Sequence, residues 1–269
     1  MVEKGRARIP TMNNRIVLRR LDSERQTVAD ADVTLEITPH VVRAIGKETS
    51  WSGIVYSRFS AQEAAAVINC EIGYFANLNR GFEWKVYSHD EPSDLVDRLR
   101  SCGFKIGEEE ALMILDLQEL PAALLAPAPE GVIVRPVTDE QGIAHFLNLE
   151  SAIWDESHTT REFLLSGLSD PLQRDLAFVA YSDQKPIGSG RVTTSPQSQF
   201  AGLWGGSILP QFRGHGVYRA LLSARIQHAR RSDSARYLRV DALPTSRPIL
   251  EKYGFKRLAS TWPANWRAV

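Results

Sequence analysis

A chain of 269 residues has room for one large domain or two ordinary ones. Hydrophobic residues make up 43% of it and charged residues 24%, a balance that is typical of globular proteins and excludes a disordered or fibrous one. The 32 basic and 32 acidic residues cancel, so the chain has no bulk charge to attract nucleic acid or an anionic membrane. The composition therefore predicts neither of these as a partner.

Cysteine content and the apolar pattern indicate the compartment. Cys70 and Cys102 are the only cysteines, too few for a disulfide framework. Residues 1–20 carry charges throughout and show no small-residue cleavage site, which argues against a signal peptide. No stretch of the chain approaches the roughly 20 apolar residues of a membrane helix. We therefore expect a soluble, cytoplasmic protein.

In the first half of the chain, a strand, a helix and a second strand follow one another. Residues 82–88 are predicted as a strand. Residues 90–100 are predicted as a helix, with acidic residues and a proline in the first turn. Gly103-Phe104 ends this helix, and residues 111–117 return as a strand.

A proline-rich segment then separates two parts of the sequence. Residues 121–131 contain three prolines and end in a glycine, a composition that breaks both helices and central strands. A new first strand is predicted from Val132 onward. The sequence thus predicts a domain over residues 1–120, a linker over 121–131 and a second domain over 132–269.

The second part contains a strand, a tight turn and a helix. The strand is predicted over residues 203–209, the turn over 211–216, and the helix from Val217 onward. Apolar residues recur on two flanks of this helix, which indicates that it packs on a sheet and shows only a narrow edge to water.

The same part ends as the first half does, and this similarity favours an internal duplication. Residues 236–242 are predicted as a strand, and residues 246–253 as a helix with Ser246 at its cap position. A shift of 151 residues places Gly103-Phe104 on Gly254-Phe255 without a gap. The alternative is that any two strand–helix–strand units look somewhat alike.

The turn before the helix can cradle a phosphate group. The first amides of a helix lack intrahelical partners and lie at the positive end of the helix dipole. Gly214 and Gly216 let the backbone approach a ligand closely, and Arg213 and Arg219 are near enough to add charge.

Two common phosphate-binding motifs do not fit this turn. A P-loop requires lysine and serine or threonine after its last glycine, but Val217-Tyr218 follow Gly216 here. A dinucleotide-binding fingerprint requires a third glycine where this chain has Arg219. The pattern Gln-x-x-Gly-x-Gly fits residues 211–216 fully.

With its flanking strand and helix, this motif resembles that of the GNAT superfamily of N-acetyltransferases, over about residues 131–269. The resemblance implies an α/β fold with a mixed, strongly twisted sheet flanked by helices, and acetyl-CoA as co-substrate. It also implies that main-chain amides from Arg213 to Tyr218 hold the pyrophosphate, and that an amide of Ile208 or Leu209 polarises the thioester carbonyl. The cofactor-binding residues expected on this basis are Ser207, Ile208, Leu209, Gln211, Arg213, Gly214, His215, Gly216, Val217, Tyr218 and Arg219.

The first half has no glycine-rich turn, since the 151-residue shift places Gly216 on Ala65, within a predicted helix. The chain therefore looks like a tandem GNAT protein with a degenerate N-terminal half. An acceptor-binding domain of another fold is the alternative for that half.

The resemblance implies an acyltransferase that moves acetyl directly from the thioester to an amine of a small molecule or peptide. Candidates for the proton-accepting base are Asp155 and Glu156, with His158 nearby; a solvated loop is the plain alternative. Ser246 is a further catalytic candidate, with helix capping as its alternative role. None of residues 204–206 is the strand-borne glutamate that some family members carry.

This chain departs from the family pattern at two positions. Leu250 stands where the family often has a tyrosine that donates to the leaving thiolate, and Leu243 replaces an asparagine. A non-catalytic CoA-binding or regulatory module therefore stays open as an alternative. No histidine or cysteine pair has metal-ligand spacing, so no metal is expected. The sequence fixes neither the acceptor nor the oligomeric state.

Overall fold

The structure is a computed structural model that describes residues 12–29, 33–47, 51–154 and 159–267. These residues form one mixed sheet of twelve strands with helices on both faces. The strands are β1 (Val33–Ile37), β2 (Val41–Gly46), β3 (Gly53–Ser57), β4 (Phe82–Tyr87), β5 (Lys105–Ile106), β6 (Glu110–Asp116), β7 (Val132–Pro136), β8 (Asp175–Ser182), β9 (Lys185–Thr193), β10 (Phe200–Ile208), β11 (Tyr237–Ala242) and β12 (Lys256–Trp266). The helices are α1 (Asn14–Thr27), α2 (Ala64–Asn77), α3 (Leu95–Ser101), α4 (Ala122–Leu125), α5 (Glu140–Trp154), α6 (Arg161–Ser169), α7 (Val217–Ala229) and α8 (Arg247–Lys252).

The last strands of the two halves are exchanged within this sheet. The strand order is β1-β2-β3-β4-β12-β6-β11-β10-β9-β8-β7, with β5 beside β12. Strand β12 pairs antiparallel with β4, where Thr261 lies opposite Tyr87. Strand β6 pairs antiparallel with β11, where Leu115 lies opposite Leu238. Each half therefore supplies one strand to the other half's part of the sheet.

Alternating side chains divide the sheet into two faces. On β8, Leu176, Phe178 and Ala180 pack in the core that contains α7, whereas Ala177 and Val179 pack with α5 and α6. Helix α1 packs on the same side as α5, and α2 and α3 pack on the α7 side. We refer to these sides as the α5 face and the α7 face. Strand β10 is part of the sheet that separates the two faces, so residues of both faces can contact it.

The mixed α/β fold with a twisted, helix-flanked sheet is confirmed. Strands β4, β6, β7 and β11 lie where the sequence predicted strands, and α7 begins at Val217 as predicted. The predicted helix over residues 90–100 is wrong at its start, because α3 begins at Leu95. Asp90 instead directs its carboxylate to the side chain of Arg25 and to the amide of Tyr87.

The predicted linker runs past helix α7. It contains the short helix α4, whose Leu124 is buried in the core beside α7. The division into domains 1–120 and 132–269 stays a prediction. The two exchanged strands, β6 and β12, come before and after the linker in the sequence. No helix in the described part of the chain is long and apolar enough to cross a membrane.

Candidate functional site

Strands β10 and β11 part in the middle of the sheet. Their parallel pairing runs only from Phe200 opposite Tyr237 to Gly202 opposite Arg239. On its other side, β10 stays paired with β9 as far as Ile208. An unpaired strand edge offers main-chain donors and acceptors to an extended ligand, which can bind as an added strand. The gap after Gly202 is therefore a ready place for a chain-like ligand.

A bulge in β10 shapes this gap. The register with β9 shifts between Trp204 and Ser207, and Gly205 lies at a φ of 57°, a left-handed conformation that favours glycine. Trp204, Gly205 and Gly206 are exposed, whereas Ser207 and Ile208 are buried again. At Gly205 and Gly206 the bulge thus leaves backbone without side chains at the opening.

The hydrogen bonds of β10 show which amide faces the gap. The amide of Leu209 donates to the carbonyl of Ile187 on β9, at 3.0 Å. Because donors alternate in direction along an antiparallel ladder, the amide of Ile208 points the other way, towards the gap. Of the two amides expected to polarise a carbonyl, Ile208 has the suitable direction, and Leu209 is engaged within the sheet.

The predicted glycine turn lies at the N-terminus of α7. Gly214 and Gly216 adopt φ angles of 79° and 77°, and Gly216 is the residue that precedes the helix. The amide of Arg213 is engaged with the carbonyl of Pro210, at 3.2 Å. Within the described residues, the amides from Gly214 to Tyr218 donate to no protein group. A Cβ added at Gly214 would meet no atom within 4 Å, so the turn faces open space.

The side chains around the turn are held in several ways. Arg213 donates from Nε to the carbonyl of Ile208 (3.1 Å), and His215 Nδ1 lies 2.8 Å from the carbonyl of Arg213. Gln211 is exposed in the 3₁₀ turn, whereas Val217 is buried in the core. The ring of Tyr218 lies against Gly206, where an added Cβ would come within 3.0 Å of the ring.

Arg219 holds the linker. Its guanidinium donates to the carbonyls of Ala123 (3.3 Å), Ala126 (2.8 Å) and Pro127 (2.6 Å). Pro129 continues this contact, since a Cβ at Gly216 would lie 3.0 Å from its ring. The sequence suggested that the guanidinium of Arg219 adds charge to the phosphate site, but it binds the linker instead. The linker forms one wall beside the turn.

Of the three predicted catalytic residues, Ser246 lies within the described residues. Asp155 and Glu156 lie outside the described residues, as does His158. Ser246 is the cap residue of α8, but its hydroxyl donates to the carbonyl of Leu243 (3.1 Å) and makes no capping bond. Leu250 is buried in the core, so no polar group stands at that position.

Two buried charged residues that the sequence reasoning missed lie beside the bulge, on opposite faces. Glu150 of α5 is 2% exposed, and its Oε1 lies 3.1 Å from where a Cβ of Gly205 would be. Arg225 of α7 is 1% exposed, and its guanidinium lies under Gly206 and Gly190. Burial lowers the pKa of Arg225, and its Nη2 has no partner among the described residues.

A sequence signal for Glu150 existed. It lies seven residues after Ile143 and four after Phe146, on the buried face of α5, where a carboxylate is out of place unless it has a partner or a role. Among the described residues, no group of three or more histidines, cysteines or carboxylates is placed to hold a metal ion.

Comparison with known proteins agrees with this geometry. A sequence profile of the Acetyltransferase (GNAT) family matches residues 143–255, a span that includes Glu150 and the glycine turn. A search of curated proteins found no match.

Solved structures of similar fold cover almost the whole chain. A GCN5-related N-acetyltransferase from Kribbella flavida aligns over 94% of this chain and 94% of its own, with a TM-score of 0.69 and 14% identity. One from Sphaerobacter thermophilus covers 96% and 86%, with a TM-score of 0.60 and 15% identity. A tandem GNAT protein from the clavulanic acid biosynthesis pathway covers 99% and 91%, with a TM-score of 0.56 and 14% identity. The chain thus has the fold of tandem GNAT proteins, with a match to the GNAT family over residues 143–255 and a degenerate N-terminal half.

Proposed function

We propose that the protein is an acetyl-CoA-dependent N-acetyltransferase that moves acetyl directly from the thioester to an amine of a small molecule or peptide. One observation carries the proposal. Within the part of the chain that the structure describes, the amides from Gly214 to Tyr218 donate to no protein group; they lie at the positive end of α7, beside the gap that the amide of Ile208 faces. The N-acetyltransferases from Kribbella flavida and Sphaerobacter thermophilus, which share the fold, support an amine as acceptor.

The residues present fit acetyl-CoA. Two negative phosphates suit a turn with several unpaired amides and open space at Gly214. The pantetheine arm suits the free edge of β10, where Ser207 and Ile208 offer main-chain groups as an adjacent strand would. The amide of Ile208 can then donate to the thioester carbonyl and stabilise the negative charge that develops on its oxygen.

The alternative, a non-catalytic CoA-binding module, is favoured by the apolar surroundings of α8. Leu250 is fully buried, and Tyr253 packs against the same core. At the position of Leu250 there is therefore no side-chain proton donor for a leaving thiolate, a role that water can fill.

Two measurements separate these functions. Isothermal titration calorimetry with CoA and acetyl-CoA tests binding, and thiol release tests transfer to glucosamine, spermidine and a peptide with a free N-terminus. Binding with transfer to at least one amine supports the enzyme; binding with no transfer supports the non-catalytic module. Absence of binding rejects both.

A matched pair of variants tests the glycine turn. G214D places a carboxylate before the unpaired amides and should abolish CoA binding through charge repulsion. G103D is its control, because Gly103 has a similar φ of 88° and equally open surroundings but follows α3 in the N-terminal half. G103D should bind CoA as the wild type does; equal binding by both variants would contradict the proposed phosphate site.

We also propose that the protein is located in the cytoplasm. Both cysteines are free thiols, Cys70 exposed and Cys102 half-buried, as expected for a reducing compartment.

A further inference from the structure

The carboxylate of Glu150 lies under the β10 bulge, on the face opposite to α7. Its Oε1 is 3.1 Å from the position of an added Cβ at Gly205, a residue with no side chain to separate it from the opening. We propose that Glu150 is the catalytic base that accepts the proton lost by the acceptor amine. This inference rests on the proposed function.

Helix α5 holds this carboxylate firmly in place. The hydroxyl of Thr159 donates to Oε1 of Glu150 at 3.0 Å. Four residues further along α5, the indole Nε1 of Trp154 donates to the hydroxyl of Ser207 on β10, at 2.6 Å. The end of α5 is thereby fastened to the strand that Glu150 faces. A base positioned by packed neighbours needs little rearrangement when the substrates arrive.

The charge of Glu150 is balanced from strand β9. Arg191 is the charged group that faces it there, and Arg191 also lies 3.8 Å from Asp175. Burial lowers the pKa of Arg191, and the charges of Asp175 and Glu150 oppose that effect. The positive charge of Arg191 attracts the buried carboxylate of Glu150 and offsets part of the cost of burying it.

The site for the acetyl donor and the proposed base lie on opposite faces of β10. Unpaired amides at the start of α7 suit the donor on one face, and Glu150 lies on the other. The amine nitrogen, arriving from the α5 face, forms a bond to the carbonyl carbon, and the C=O electron pair moves to oxygen beside the Ile208 amide. The nitrogen's proton passes to Glu150, directly or through one water. The C=O bond then re-forms as the C–S bond breaks, and sulfur leaves with the electron pair as thiolate.

The test compares two glutamate-to-glutamine variants, both on helix α5. E150Q keeps the shape of the side chain and removes the proton acceptor, so we expect kcat to fall about 10²- to 10⁴-fold with unchanged affinity for CoA. E140Q is the matched control, since Glu140 is an exposed residue of α5 paired with Arg161. Its kcat should equal that of the wild type.

A second readout needs no turnover. The probe is CoA whose sulfur is joined through two methylenes to the nitrogen of a secondary amine, which is cationic at neutral pH. Calorimetry should show that E150Q binds this probe about tenfold or more weakly than the wild type does, but binds CoA equally well. Equal CoA binding also demonstrates that E150Q is folded. If E150Q is impaired in CoA binding, E150A with and without added formate replaces it, and recovery of rate by formate supports the assignment.

Each outcome has a distinct meaning. Wild-type transfer together with an unchanged kcat in E150Q overturns the role of Glu150 and leaves the proposed function intact. Tight CoA binding by the wild type with no transfer to any amine overturns both. An E150A variant that formate cannot rescue overturns the base assignment alone.

Discussion

Arg25 holds Asp90 with two parallel hydrogen bonds, Nη1 to Oδ1 at 3.0 Å and Nη2 to Oδ2 at 2.9 Å. Both side chains are almost fully buried, and Nε of Arg25 donates to the carbonyl of Val55 at 2.8 Å. The guanidinium also stacks over the ring of Tyr87, 3.7 Å from its centroid. This pair fastens α1 to the end of β4 across the α5 face of the sheet.

Removal of the guanidinium should strongly destabilise the protein. R25M leaves the carboxylate of Asp90 buried without its cation, and we expect the free energy of unfolding to fall by about 3–5 kcal/mol. Urea denaturation measures the loss. The control is R98M, which removes an exposed ion pair with Asp94 and should change the midpoint little. Equal losses in the two variants would show that the Arg25–Asp90 pair contributes no more than a surface pair.

His228 should make stability depend on pH. Its Nε2 donates to the carbonyl of Gln173 at 3.0 Å, while its buried Nδ1 has no partner among the described residues. Burial lowers the pKa of His228 below the ordinary value of 6.5. The unfolded chain then takes up the proton more readily, so the free energy of unfolding should fall as the pH decreases through about 6.5.

H228Q isolates this contribution. Glutamine can donate to Gln173 but does not titrate, so the difference in unfolding free energy between wild type and H228Q should change between pH 8 and pH 5. Urea denaturation at several pH values gives this difference. A difference that is constant across the range would mean that His228 has the same proton affinity in the folded and unfolded chains.

Arg219 should control the mobility of the linker. Its three bonds to main-chain carbonyls are charge-assisted, each of a kind worth about 1.5–3 kcal/mol. We expect R219A to speed cleavage of residues 121–131 by elastase at least about tenfold, because the alanine-rich segment leaves the surface of α7 more often. R230A, at the exposed far end of the same helix, should be cleaved at the wild-type rate. If R219A is cleaved no faster than R230A, other contacts hold the linker.

The loop and its helix could be predicted because the signals for them are local. Gly214 and Gly216 do adopt left-handed conformations, and α7 starts at the next residue, Val217. Proline and glycine content predicted a linker over residues 121–131, but not the helical turn of α4 within that segment. Signals of this kind depend on a few adjacent residues and carry over to the folded chain.

The remaining features depend on partners distant in the sequence. The exchange of β6 and β12 follows from pairing between the two halves, which no periodicity within either half specifies. The spacing on α5 marks Glu150 as a carboxylate on an apolar face, but its place under the bulge becomes known only when β10 is placed beside α5. Arg219 has a plausible use at a phosphate site, and only the path of the linker shows its actual contacts.

The exchanged strands also bear on the order of synthesis. Tyr87 on β4 pairs with Thr261 on β12, 174 residues later in the chain. During translation, the N-terminal half therefore emerges with an unfilled place beside β4, and this place stays open until residues 256–266 have left the ribosome. An unpaired strand edge is a template for pairing with another chain, so the nascent first half is more prone to aggregation before β12 has been made than after it.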